Sequence, residues 1–274
     1  MKKLFLFVAL AFVGFAFIPK DITWVAIGDS ITYLNEHVDE TQNRITKGYM
    51  TRVVEKLPYI HYFNQGYSGW NSGDIADSIE TLGIQKADMY SIFLGTNDWW
   101  AGRGVGTMAD YLNNTGRGTV YGAFRIIINK LHSLNKDAKI ILITPMQRLD
   151  FVSLNGKHDP VHGSYMAKDG QMLEQVADAI NAIGTYEHCE VVDLFHAKSL
   201  ALESLVKYKR LKDPQTGLYR NYPYPDFTNI PFNSATDEYP YPLDAVGMTY
   251  DGLHPSDNGY SEIADMLVKI MKKY

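Results

Sequence analysis

Four polar blocks, far apart in the chain, carry the side chains that could do chemistry. They are Gly28-Asp29-Ser30, the stretch NQGYSGWNSGD from Asn64 to Asp74, Gly95-Thr96-Asn97-Asp98, and Asp251-Gly252-Leu253-His254-Pro255. A serine hydroxyl becomes a useful nucleophile only when a neighbouring base takes its proton. A histidine can be that base, and a carboxylate three residues before it can fix the ring's tautomer from the same loop. Ser30, His254 and Asp251 are thus a candidate set for acyl transfer. Singly, each block has a plainer explanation. Gly, Asp and Ser are the commonest turn residues, so the first block is equally a strand-ending turn. Asp251 and His254 could make a surface turn or supply two metal ligands, although no other His, Asp or Glu cluster completes a metal site at a recognisable spacing.

The elements that must position these blocks alternate in kind. Short apolar runs at Thr23–Ile27, Ile60–Asn64, Met89–Leu94, Lys139–Ile143 and Glu190–Leu194 are rich in β-branched and aromatic residues, as strands buried on both faces should be. Helical spacing fills the gaps: Met50, Val53, Val54 and Leu57; Ile75, Ile79 and Leu82; Val120, Phe124, Ile127 and Leu131; Met172, Val176, Ile180 and Ile183. Gly184 is well placed to cap the last of these. A final helix turns Ile263, Leu267 and Ile270 inward, with Ser256 or Asp257 as its N-cap. Strand–helix alternation implies an α/β fold with a parallel sheet covered on both faces. Ligands of such sheets bind beyond the carboxyl ends of the strands. The first three blocks follow strands and the fourth precedes the last helix, so all four converge on one edge. Two segments break the alternation: a polar connection over 145–169, and a long insertion over 204–250 with no helical or alternating core pattern.

Together the blocks resemble the SGNH hydrolase family, the GDSL esterases/lipases, in order and spacing over residues 22–272. Ile31 stands where the family usually has Leu. The resemblance implies a flavodoxin-like three-layer α/β/α sandwich with a central parallel sheet of about five strands. It implies Ser30 as nucleophile, His254 as base and later acid, and Asp251 as the carboxylate behind the imidazole. It also implies an oxyanion hole made by the Ser30 and Gly69 backbone N–H groups and the Asn97 side-chain amide. A glycine at 69 then keeps a side chain away from the oxyanion. Asp29 and Asp98 fit better as carboxylates bonding loop amides. His61, His158, His162 and His196 have no partner visible in the sequence and are read as surface or structural residues.

The bulk numbers are those of an ordinary globular protein of 274 residues, 46% hydrophobic and 21% charged. A net charge of −5 argues against a nucleic-acid partner. The N-terminus is distinctive: Lys2 and Lys3, then an apolar run from Leu4 to Ile18. That run is shorter than the roughly 20 residues a membrane span needs. It reads as a signal peptide over residues 1–19, with a Gly14-Phe15-Ala16 cleavage pattern, and so predicts a periplasmic or secreted protein without stable membrane association. An uncleaved signal anchor is the alternative. The remaining residues, 20–274, read as one domain. Cys189 is the only cysteine, which precludes an intrachain disulfide, and its apolar context predicts an inert core residue. No motif calls for a cofactor or a metal.

Substrate clues are fewer. Trp99 and Trp100 follow the third block, and at least one could wall a substrate pocket or pack beneath the loop. The insertion carries Tyr208, Tyr219, Tyr222, Tyr224, Phe227, Phe232, Tyr239, Tyr241 and Tyr250. Tyrosines suit sugar rings, and equally the packing of a proline-rich loop. The insertion holds few Leu, Ile or Val, unlike a lipid-binding lid. These features favour an esterase removing short acyl groups, such as acetyl, from carbohydrate. The alternatives are a lipase, lysophospholipase or thioesterase on the same scaffold, and a non-catalytic glycan-binding protein.

Overall fold

The computed structural model describes residues 21–154 and 162–274, so the apolar N-terminal stretch and His158 lie outside the described residues. Five strands form one parallel sheet: β1 (Ile22–Gly28), β2 (Ile60–Gly66), β3 (Met89–Phe93), β4 (Lys139–Ile143) and β5 (Glu190–Val192). Their order is β2-β1-β3-β4-β5. The chain moves outward from β1 to β2, then crosses back to β3, so the topological switch point lies between β1 and β3. Register brings three of the polar blocks together there. Gly28 pairs with Gly66 on one side and with Phe93 on the other, so the turns leaving all three strands lie side by side.

Alternation along β1 sorts the core into two layers. Trp24 and Ala26 face the helices Tyr49–Lys56 and Asp257–Met271, where Tyr49, Val53, Tyr260, Ile263 and Leu267 are buried. Val25 and Ile27 face the helices Ser72–Ser78, Val120–Leu134 and Leu173–Glu187, through Ile75, Phe124, Ile127, Val176 and Ile180. Each fully buried Ile, Leu or Phe contributes about 1.5–3 kcal/mol, so the two layers carry most of the fold's stability. The first layer is also closed by polar contacts. Arg52 pairs with Asp257 and donates to Ser261 Oγ at 3.0 Å.

Three sequence expectations change. β2 and β5 are the edges of the sheet and are covered incompletely, so Phe63 stays 41% exposed. The helix after Met172 runs on through Gly184 to Glu187, and His188, in the left-handed conformation at φ 54°, ends it. Gly184 serves instead as a close-packing point, because a Cβ there would meet Val191 Cγ2 at 2.3 Å. Lastly, residues 204–250 are ordered by a hairpin of β6 (Lys209–Lys212) and β7 (Tyr219–Tyr222). Phe227 and Tyr241 anchor that segment in the same core layer as the last helix.

Candidate active site

The turn after β1 is shaped by what crowds it. A Cβ at Gly28 would lie 2.0 Å from Thr32 Oγ1 and 3.0 Å from the Phe93 carbonyl, so only glycine lets β1 and β3 approach here. Asp29 caps the short helix Ser30–Tyr33, accepting the Ile31 N–H at 3.0 Å, and sets Ser30 as its first residue. Burial raises the Asp29 pKa to about 6 against the Ile31 bond and the nearby imidazole, which lower it.

The fourth block supplies an imidazole within reach of Ser30. His254 Nε2 lies 2.9 Å from Ser30 Oγ, and its Nδ1 lies 2.7 Å from Asp251 Oδ2. The other carboxylate oxygen of Asp251 accepts the N–H groups of Leu253 and His254 at 2.9 and 2.7 Å. That carboxylate therefore shapes its own loop while holding the ring. Gly252 makes the turn at φ 89°, a conformation that favours glycine. Burial acts to lower the His254 pKa, but the charge and bond of Asp251, helped by Asp29, outweigh it and leave the group raised. Two aromatic rings hold the imidazole: Tyr250 stacks on it at 5.9 Å, and Phe151 meets it edge-on at 5.4 Å.

The second and third blocks meet across the switch point. Tyr67 N–H donates to the Gly28 carbonyl at 2.9 Å, and Asn64 buttresses the first turn by donating to the Thr32 carbonyl at 3.2 Å. Gly69 adopts φ 80°, and a Cβ added there would have no protein atom within 4 Å. The backbone conformation, rather than crowding by the protein, therefore calls for glycine at this position. Asn97 donates through Nδ2 to the Trp70 carbonyl at 2.9 Å, and an amide NH₂ keeps a second hydrogen to offer. Asp98 is fully buried and accepts the Ser72 N–H at 3.0 Å and its hydroxyl at 2.5 Å, with Arg103 Nε at 3.3 Å. It locks the third block to the second and does not reach the cavity lining.

A cavity of about 220 Å³ opens beside Ser30, lined by Gly69, Asn97, Trp100, Arg148, Phe151, Leu253 and His254 among others. A second, of about 150 Å³, adjoins it past Glu40, Ser153, Leu154 and Tyr250. The two share Ser30, Ser68, Phe151 and His254. Of the paired tryptophans only Trp100 lines the cleft. Trp99 is buried, donates to the Gln171 carbonyl at 2.8 Å, and packs beneath the loop. Among the insertion's aromatics Tyr250 reaches the cleft, whereas Phe227 and Tyr241 are spent on the core.

Other histidines stand apart: His61 lies 3.4 Å from Asp21, His196 bonds Asp193 at 2.8 Å, and His162 packs against Trp99 and Trp100. Cys189 is half-buried, and burial pushes its thiol up to about 11, which suppresses the thiolate. Sequence reasoning missed Arg148 and Phe151. Both leave the carboxyl end of β4, and the rule that ligands gather at strand ends pointed there too.

The parallel sheet carries Ser30, His254 and Asp251 in a hydrogen-bonded line at its carboxyl edge, and comparison with known proteins places the chain among ester hydrolases of the SGNH α/β/α fold. The GDSL-like lipase/acylhydrolase family matches over residues 26–261, and the chain belongs to that family. A crystal structure of a possible lipase from Chitinophaga pinensis is 57% identical, covering 92% of this chain and 98% of its own, with a TM-score of 0.90. A GDSL-like lipase structure from Parabacteroides merdae shares the fold at 18% identity, 93% and 97% coverage and a TM-score of 0.54. An acetylxylan esterase from Geobacillus stearothermophilus does so at 18% identity, 92% and 94% coverage and a TM-score of 0.50. No curated protein matches the chain significantly.

Proposed function

We propose that the protein is an exported serine esterase that removes short acyl groups, acetyl foremost, from carbohydrate. The observation that carries this reading is the unbroken line from Asp251 through His254 to Ser30 Oγ, opening onto a cleft. Ser30 attacks the ester carbonyl as His254 takes its proton, and the imidazolium then protonates the departing alcohol. Asp251 stabilises that imidazolium. Water, activated by the same histidine, releases the acid from the acyl-serine. The tetrahedral oxyanion is bound by the Ser30 and Gly69 N–H groups and by the remaining Asn97 amide hydrogen.

Cavity size supports the acyl class. The two adjoining spaces, about 220 and 150 Å³, stand at the small end of the roughly 300–1,000 Å³ of pockets that engulf a drug-sized ligand, and the division of the cleft at Ser30 suits a small acyl group on one side. Trp100 lines the larger space, with Arg148 and Lys168 set over its ring at 5.0 and 5.1 Å. Acetyl xylan esterases are built on the same scaffold, which supports a carbohydrate ester as substrate. Export rests on the basic and apolar N-terminal residues, and no helix among the described residues is long and apolar enough to cross a membrane.

The 57% identical possible lipase favours a second reading, longer acyl chains on lipid. Turnover of p-nitrophenyl acetate, butyrate and octanoate separates the two. We expect acetate to be hydrolysed best and Ser30→Ala to abolish it. Preference for octanoate would move the substrate to lipid, and an unimpaired Ser30→Ala protein would end the serine mechanism. Recovery of the protein from the culture medium or periplasm, shortened near residue 16, tests export.

A further inference from the structure

The insertion over 204–250 reaches the back of the catalytic loop through one buried ion pair. Lys209, on β6, extends Nζ to Asp150 Oδ2 at 2.6 Å, and both side chains are almost completely buried. The other Asp150 oxygen accepts the Tyr165 hydroxyl at 2.7 Å, and its backbone carbonyl accepts the Tyr241 hydroxyl. The rings of Phe227 and Tyr241 flank the ammonium at 5.1 and 5.6 Å.

What Asp150 anchors is the loop that carries the base. Its neighbours bond the catalytic turn directly: Leu149 N–H donates to the Gly252 carbonyl at 2.8 Å, and Val152 N–H to the Asp251 carbonyl at 3.2 Å. Between them Phe151 sets its ring against the imidazole of His254. Gly252 packs so closely that a Cβ would meet the Asp150 carbonyl at 2.3 Å and the Tyr241 hydroxyl at 2.7 Å. Moving Asp150 therefore moves both the backbone behind Asp251 and the ring beside His254.

We propose that Asp150, held by Lys209, is a positioning residue that sets the Asp251–His254 pair against Ser30. The proposal rests on the serine mechanism above. Buried ion pairs contribute little net stability, and replacing both partners with apolar residues is often neutral, whereas removing one leaves an uncompensated charge. That asymmetry gives the test. Lys209→Met alone is expected to lower Tm. The double variant Asp150→Leu/Lys209→Met is expected to recover much of that Tm and still show kcat on p-nitrophenyl acetate reduced about 10-fold or more, with KM little changed, because small displacements of catalytic groups cost rate and not affinity. Tyr241→Phe, which removes one hydroxyl behind Gly252, is expected to lower kcat several-fold with KM unchanged, and it keeps the question open to refutation where the double variant does not fold. Wild-type kcat in the folded double variant, or in Tyr241→Phe when the double variant is unfolded, would overturn the proposal. Unimpaired activity in Ser30→Ala would instead overturn the serine mechanism, a separate outcome.

Discussion

The strand-end edge and the 204–250 insertion both converge on His254, but they are built by different means. At the edge, local backbone requirements dictate the residues. Gly28 and Gly69 answer to close approach and to a positive φ, and Asp29 to a helix cap. In the insertion, few positions are dictated locally. Lys209 and Tyr241 matter because they meet Asp150, about 60 and 90 residues away, and Phe227 because it flanks that Lys209 in the core. Chemistry placed on tight turns is specified by a handful of residues, whereas the support behind it is spread through packing.

On that contrast, edge variants lose rate and keep the fold, while truncating an apolar anchor of the insertion costs stability first. The largest loss is expected for Ser30→Ala, about 10³-fold or more in kcat with Tm unchanged, read by ester hydrolysis and thermal unfolding. Next is Asn97→Ala. Removing one oxyanion donor costs roughly 10²–10³ in kcat. Because the same amide braces the Trp70 carbonyl, a small drop in Tm should accompany it. An Asn97→Ala enzyme of normal rate would break the edge side of the contrast. Phe227→Ala should behave oppositely, costing about 3–5 kcal/mol of stability, with kcat per folded molecule changed far less than in Asn97→Ala. A Phe227→Ala protein of unchanged Tm would break the insertion side.

The smallest effect concerns pH. The raised pKa of His254 means that the base is lost as pH falls through that value, so kcat/KM declines on the acid side. Asp29 helps hold that value up, so Asp29→Asn should move the acid limb to lower pH. Its effect on stability has a definite sign. Asp29 titrates at about 6 in the fold, above the ordinary aspartate value of 3.8. Its stabilising contribution is therefore present below pH about 4 and lost as pH rises through about 6, leaving an ionised group that costs on the order of 3 kcal/mol above that. Asparagine caps helices as well as aspartate does. The variant should thus match the parent's Tm near pH 4 and exceed it by several degrees near pH 8.

The sequence disclosed the sheet and the four blocks because both rest on local signals. Apolar runs of strand length lie where β1 to β5 form, and turn residues follow each. The observed strand order and the GDSL-like family match agree with the fold that the blocks implied. The misses share a cause. Gly184 carries an ordinary helix-end signal, but only the contact with Val191 explains the glycine, and the helix ends at His188. Adjacent tryptophans look alike in sequence, and a carbonyl 72 positions from Trp99 decides that it packs while Trp100 faces the cleft. Phe151 was hidden in a stretch whose polar character suggested a plain connection. Its importance exists only once the Asp251 turn lies against it.

Ser30 and His254, the proposed nucleophile and base, stand 224 positions apart. At a synthesis rate of about 5–20 residues per second, Ser30 is joined to the chain roughly 10–45 s before His254 is. The helix that follows His254 then has to dock on Tyr49–Lys56, where Arg52 receives Asp257 and Ser261. On the proposed serine mechanism, nascent chains are inert as hydrolases whatever their N-terminal half has already folded, and the first turnover reports that the last helix is home.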